Sequence, residues 1–260
     1  MRSSPPQSKQ PGHQAKASTP KPASPGAKLT TKTPWDDSTQ ALARNTLQAG
    51  SQQLGVALSE AQTDALMGYL GLLHKWSQVY NLTAVRDPLE MVTLHLLDSL
   101  AVVPALLRHL DTPANKPAQP MRLLDVGSGA GLPGVVIAIA CPHIQVTCLD
   151  AVAKKAAFVQ QVAASLGLAN LRGLHQRIEH IDTPHAVVCS RAFASLADFV
   201  RGSAKALAPG GVWLALKGKT PTEELSALGP KVDVFHVEQL KVPGLDAQRC
   251  LVWMRPNPPR

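Results

Sequence analysis

Residues 121–134 read Met121-Arg-Leu-Leu-Asp125-Val-Gly127-Ser-Gly129-Ala-Gly131-Leu-Pro133-Gly134, and this stretch decides the fold. Leu123, Leu124 and Val126 form a short apolar run of strand length. Three glycines then alternate through a turn. Pro133 suits the first turn of a helix, where a missing N–H costs nothing. An apolar helix over 135–140 follows, then a strand over 144–149 that ends on Asp150. Strand, glycine turn, helix, strand and acid make a nucleoside-binding unit: the glycines let a ligand approach the backbone, and the carboxylate can accept from ribose hydroxyls.

The glycines fit two patterns. Gly129-Ala-Gly131-Leu-Pro-Gly134 satisfies the dinucleotide fingerprint G-x-G-x-x-G, whereas Asp125-Val-Gly127-Ser-Gly129-Ala-Gly131 satisfies the D-x-G-x-G-x-G pattern of S-adenosylmethionine (SAM) methyltransferases. In a dinucleotide site the first glycine follows the strand at once. Here that residue is Gly127, which favours the SAM register. Asp125 would place a carboxylate beside the ligand, unhelpful next to a pyrophosphate and harmless near a sulfonium. A hydride-transfer enzyme also needs a proton-transfer group such as Tyr-x-x-x-Lys, and neither Tyr69 nor Tyr80 supplies one.

Outward from the loop, the net charge of +8 is unevenly spread. Residues 1–34 hold six of the 26 basic residues and no acid, leaving 20 basic against 18 acidic residues in the remainder. That leading segment, rich in Pro, Ser, Thr and Lys, has almost nothing to bury and reads as a disordered basic tail over 1–37, without the apolar core of a signal peptide. Residues 38–110 read as a helical N-terminal subdomain. In it Ser59-Glu-Ala-Gln62 has capping-box form, and Asp87-Pro88-Leu89-Glu90 starts a helix carrying His95, Asp98 and Ser99 as a polar stripe, which either fixes helix packing or lines a substrate cleft. Residues 111–120 read as a linker and 121–256 as the α/β domain. A helix over 196–208 stopped by Pro209-Gly210-Gly211, a strand over 212–216 and a final β-pair over 232–237 and 250–254 complete it. No run is read as long enough to span a membrane. The four cysteines show no C-x-x-C pair and read as buried reduced thiols of a cytoplasmic protein. The histidines show no metal-ligand spacing.

The strand ends carry the chemistry of an open α/β sheet. The fourth strand leads to Arg191-Ala-Phe193, suited to phosphate binding and base stacking, and the loop after the third offers Glu179 to a base. Arg86, Lys155, Arg191, Lys217 and Arg249 all fall near the presumed ligand edge and are the candidate RNA contacts. Cys189 is no cytosine nucleophile, because no Pro-Cys follows a strand end. Asn257-Pro-Pro-Arg260 imitates an amine-methyltransferase motif but lies at the wrong place in the chain.

Taken together, His74-Lys75-Trp76, Tyr80-Asn-Leu-Thr83, Arg86-Asp-Pro88, His95-Leu-Leu-Asp98-Ser99, Asp125 to Gly134, Ser190-Arg-Ala-Phe-Ala-Ser195 and Leu216-Lys-Gly218 resemble the bacterial small-subunit ribosomal RNA methyltransferase G family, also called glucose-inhibited division protein B. The likeness runs from about residue 45 to 255; the long tail departs from the usual family start. It implies a Rossmann-like class I SAM methyltransferase fold, with a mostly parallel seven-stranded sheet. It also implies methylation of N7 of one guanine, conventionally position 527, in 16S rRNA, free or in the small ribosomal subunit; separately, no metal is expected and the chain is read as a monomer. It implies cofactor contacts at Gly127, Leu132, Ile178, Glu179 and Arg191, beside Asp125, Gly129, Gly131 and Asp150 from the motif. Two other classes share these features in part: a methyltransferase acting on another RNA, a protein or a small molecule, and a non-catalytic RNA-binding module, which would not need the intact glycine loop with Asp150.

Overall fold

The structure, a computed structural model, describes residues 34–111 and 121–257. The tail read over 1–37 and the linker read over 111–120 lie almost wholly outside the described residues. Helices α1 (Asp37–Gln53) and α2 (Glu60–Tyr80) come first. Asp36 caps α1 by accepting from the Thr39 N–H. The Ser59/Gln62 capping box forms in full, satisfying two otherwise unpaired donors. Asn81 ends α2 in the left-handed region at φ +50°, a conformation that asparagine tolerates.

The next helical run holds α3 (Pro88–Met91), a π-helical stretch (Val92–Leu97), α4 (Asp98–Leu100) and α5 (Val103–Leu110). Asp87 caps α3 through the N–H groups of Leu89 and Glu90. The span Pro88–Leu110 corrects one expectation: its 23 residues are long enough to cross a membrane, and its most apolar stretch has a mean hydropathy of 1.5. Its most apolar stretch is 72% buried inside the protein, however, and reads as a core helix.

The α/β part runs β1 (Arg122–Val126), α6 (Gly134–Ala140), β2 (Gln145–Asp150), α7 (Ala153–Ser165), β3 (Leu171–His175), β4 (His185–Ser190), α8 (Leu196–Ser203), β5 (Leu207–Lys217), α9 (Thr222–Ser226), β6 (Val232–Leu240) and β7 (Arg249–Pro256). The seven strands lie in the order 3-2-1-4-5-7-6. Strands β1 to β5 pair in parallel, and β7 runs antiparallel to both β5 and β6. This is the mostly parallel, seven-stranded Rossmann-like sheet expected from the sequence. The helix expected to reach Ala208 ends at Ser203, and a 3₁₀ turn over Ala204–Ala206 leads into β5 five residues early. Pro209-Gly210-Gly211 sit within that strand as a break in register: Leu207 faces His185, and Val212 faces Val187. Gly210 has φ +74°, so these residues punctuate a strand rather than stop a helix.

Side chains alternate across the sheet with period two. Leu123, Val146, Val187 and Leu214 pack on one face with the α1, α2, α6 and α7 helices. Leu124, Leu149, Val188 and Trp213 pack on the other with α8. The N-terminal helices have no core of their own: Leu66, Leu70 and Leu73 share a cluster with Val135 and Phe158. Two polar contacts pin them down. Gln62 Nε2 donates to the carbonyls of Ile139 and Ala140 at 3.0 Å, satisfying the open end of α6. Tyr69 donates its buried hydroxyl to the Ala130 carbonyl at 2.8 Å, which ties α2 to the glycine loop.

Candidate active site

The glycine loop leaves β1 and is anchored at once, the Ser128 N–H donating to the Leu149 carbonyl at 3.0 Å. Gly127 and Gly129 have φ of +66° and +59°, and a Cβ on either would meet nothing within 4 Å. Their backbone therefore faces open space at the carboxyl edge of the sheet, where a ligand can lie against it. Gly131 and Gly134 serve packing instead. A Cβ on Gly131 would strike Val135, and one on Gly134 would strike Cys148 and sit 2.9 Å from Asp125 Oδ2. Leu132 is buried in the turn between them. A nucleoside cofactor thus fits the loop on one side only, over Gly127 and Gly129.

Asp125 departs from expectation. It is sealed beneath the loop at 0% exposure, with Oδ2 accepting from the Gly134 N–H at the start of α6. It does not stand beside a ligand; it fixes the helix that follows the loop. Oδ1 has no partner. Burial pushes the carboxyl up to about 7, with the Gly134 N–H opposing. The folded protein therefore binds this proton more tightly than the unfolded chain does, so stability is lost as pH rises from about 4 to about 7. Asp125→Asn keeps an oxygen for Gly134 and removes the titration. The melting-temperature difference between variant and wild type should move in the variant's favour from pH 5 to pH 8. A constant difference would show that Asp125 does not titrate there.

Asp150 closes the other side of the loop. Oδ2 accepts from the Gly129 N–H at 2.9 Å and Oδ1 from the Val152 N–H at 2.8 Å. Lys155 Nζ stands 3.7 Å from Oδ2, placing this lysine beside the glycine loop. Ile178 is packed with Leu149 on the far face of the sheet, and Glu179 beside it is exposed. Glu179 lines a hollow of about 540 Å³ with Phe193 and Asp198, a different hollow from the one Arg191 lines.

The larger gathering of charge lies where β4, β5 and β7 meet the helices. A cleft of about 340 Å³ is lined by Arg191, Lys217 and Arg249, with His95, Asp98 and apolar walls at Leu94 and Leu216. Three of the five candidate RNA contacts are thus brought together. Lys217 is neutralised there, its Nζ donating to both Glu224 oxygens at 2.9 and 2.8 Å. Arg86 is elsewhere: it donates to the Ser77 carbonyl at 2.6 Å and to Asn81 Oδ1, so it caps the end of α2 rather than lining the cleft. His95 Nε2 lies 2.8 Å from Thr83 Oγ1. Burial, assisted by the Arg191 charge, holds the ring down at about 4, so it is neutral at physiological pH.

A model of one protein family, rRNA small subunit methyltransferase G, matches residues 62–252. The chain belongs to that family. Among its relatives is the ribosomal RNA small subunit methyltransferase G of Polaromonas naphthalenivorans strain CJ2, 62% identical over 213 residues that cover 82% of this chain and 96% of the relative. Those of Paracidovorax citrulli strain AAC00-1 and Leptothrix cholodnii are 60% and 57% identical, covering 81% and 82% of this chain and 89% and 96% of the relatives. The family match takes in both the glycine loop and the cleft.

Within this member of the methyltransferase G family, the polar stripe of the third helical run divides. His95 and Asp98 line the cleft, while Ser99 is wholly buried with its hydroxyl unpartnered. The π-helical turn just before Asp98 widens the helix there, so α-helical spacing alone does not forecast which of the three reach the cleft. Tyr69 and Glu224 were invisible in the sequence as site residues: each acts through a contact at long range in the chain or through a neighbouring element. Among the described residues, no group of three His, Cys, Asp or Glu side chains is placed to hold a metal ion. All four cysteines are free and buried.

Proposed function

We propose that this protein transfers a methyl group from S-adenosylmethionine to N7 of a guanine in 16S rRNA, conventionally position 527, in the cytoplasm, acting as a monomer on the rRNA or the small ribosomal subunit. The supporting observation is the pairing of two sites along one sheet edge. One is the glycine loop, with its open face over Gly127 and Gly129 and with Asp150 beside it. The other is the cleft holding Arg191 and Arg249.

When bound, S-adenosylmethionine supplies an electrophilic methyl group on a sulfonium. Gly127 and Gly129 would present their backbone to it, and Asp150 would accept from its ribose hydroxyls. Guanine N7 has an exposed lone pair and no proton to lose, so the protein's task is placement. No side chain is asked to be a general base, and His95, although neutral, is already engaged with Thr83. Arg191 is assigned to positioning, through RNA phosphate or the cofactor carboxylate. Lys155 and Arg249 are assigned to the RNA, with Lys217 held in reserve by Glu224.

The test is methyl transfer from tritiated S-adenosylmethionine offered together with unmodified 16S rRNA, a protein fraction and a metabolite fraction. Label should enter 16S rRNA. Label in protein or small molecules instead would overturn the reading.

A further inference from the structure

Asp98 joins parts of the cleft that are far apart in the chain. It opens α4 directly after the π-helical turn, and its side chain is 6% exposed. Oδ1 accepts from Arg249 Nε at 2.7 Å, at the first residue of β7. Oδ2 lies 3.4 Å from Nη1 of Arg191, the residue after β4, and the same Nη1 lies 3.4 Å from the Leu94 carbonyl. Arg249 Nη1 turns back to the Gln248 carbonyl at 2.9 Å. On Arg191 these contacts engage Nη1 alone; on Arg249 they engage Nε and Nη1, which lie on opposite sides of the guanidinium. Among the described residues, Nε and Nη2 of Arg191 and Nη2 of Arg249 have no protein acceptor.

A carboxylate here opposes RNA binding by charge alone, since binding gains from every basic residue left free. Burying it is also costly unless it is well paired. What a shared carboxylate supplies is direction, because a planar guanidinium held at one or two of its nitrogens presents its remaining donors in fixed directions. Two arginines and one aspartate leave a single positive charge, which suits a single phosphodiester.

We propose that Asp98 is a positioning residue for methyl transfer: it holds Arg191 and Arg249 so that their free N–H groups meet one phosphodiester of the target strand. This rests on the rRNA reading above. In the role assigned here, Asp98 touches neither cofactor nor reacting atoms and acts through the two arginines.

The test compares Asp98→Asn, Arg249→Ala and the double variant in turnover, 16S rRNA affinity, S-adenosylmethionine affinity and melting temperature. Asp98→Asn should lower kcat on the order of 10- to 100-fold, the scale of a misplaced reactant. It should leave rRNA affinity unchanged or tighter, because a negative charge has gone. Cofactor affinity should hold. The double variant should be no slower than the slower single variant by more than about twofold, the non-additivity of residues acting as one unit. A purely structural role would lower the melting temperature without splitting kcat from rRNA affinity. An unslowed Asp98→Asn, or multiplicative losses in the double variant, would overturn the proposal. Should Asp98→Asn fail to fold, Arg249→Lys carries the same test: its charge stays and its Nε donor goes, so affinity should hold while kcat falls. Wild-type enzyme that puts no label into rRNA would count against the rRNA reading itself, which separates the two failures.

Discussion

Asp150→Ala is expected to weaken S-adenosylmethionine binding on the order of tenfold or more while leaving the fold intact. The carboxylate is already half used: one oxygen holds the Gly129 N–H and the other the Val152 N–H. An ionised carboxylate offers about four acceptor sites, so capacity remains for ribose hydroxyls. Charge-assisted bonds contribute about 1.5–3 kcal/mol each, and losing one already corresponds to roughly 10- to 100-fold in affinity. The alanine variant also releases the loop at Gly129, whose open face is the proposed cofactor surface. Asp150→Asn should fall between, since one oxygen remains to hold either the loop or a hydroxyl. Calorimetry reads both variants directly. Unchanged affinity in Asp150→Ala would move the ribose contact elsewhere.

Arg191→Ala should lower kcat on the order of 100-fold through misplacement of the reacting groups, with a smaller change in rRNA affinity. Arg191 spans the cleft from the end of β4 to Leu94 and Asp98, so its loss opens the wall between the sheet and the third helical run. Arg191→Lys should recover little, because a point charge lacks the planar fork that meets a carbonyl, a carboxylate and a ligand together. Single-turnover methylation at saturating rRNA and cofactor separates the step from binding. Full recovery by lysine would show that charge alone is needed there.

The short apolar runs and the glycine turn of 121–150 were legible because a buried strand and a glycine turn leave local signals that packing cannot rearrange. The Ser59 and Asp87 caps were legible for the same reason: each acts within three residues of itself. Asp125 misled because a carboxylate at a strand end reads alike whether it faces a ligand or the N-terminus of the next helix, and only its burial decides. Pro209-Gly210-Gly211 misled because such residues punctuate a helix end and a strand irregularity equally well. The gathering of Arg191, Lys217 and Arg249, and the departure of Arg86 to the end of α2, depend on long-range approach of β4, β5 and β7 to the helices. Spacing in the sequence carries no record of that approach. Asp98 sat within a polar stripe, but its pairing with Arg249 joins residues 151 positions apart.

The central claim is that the methyl group goes to an atom that needs no deprotonation. The measurement that tests it most directly uses 16S rRNA with 7-deazaguanine at the single target position, which keeps the Watson–Crick edge and ring shape but puts carbon where N7 was. The account predicts that this RNA binds as tightly as the natural one and accepts no methyl group, while natural rRNA in the same assay is labelled. Methyl transfer to the 7-deaza RNA at the normal rate would contradict it and place the chemistry on another atom of the base.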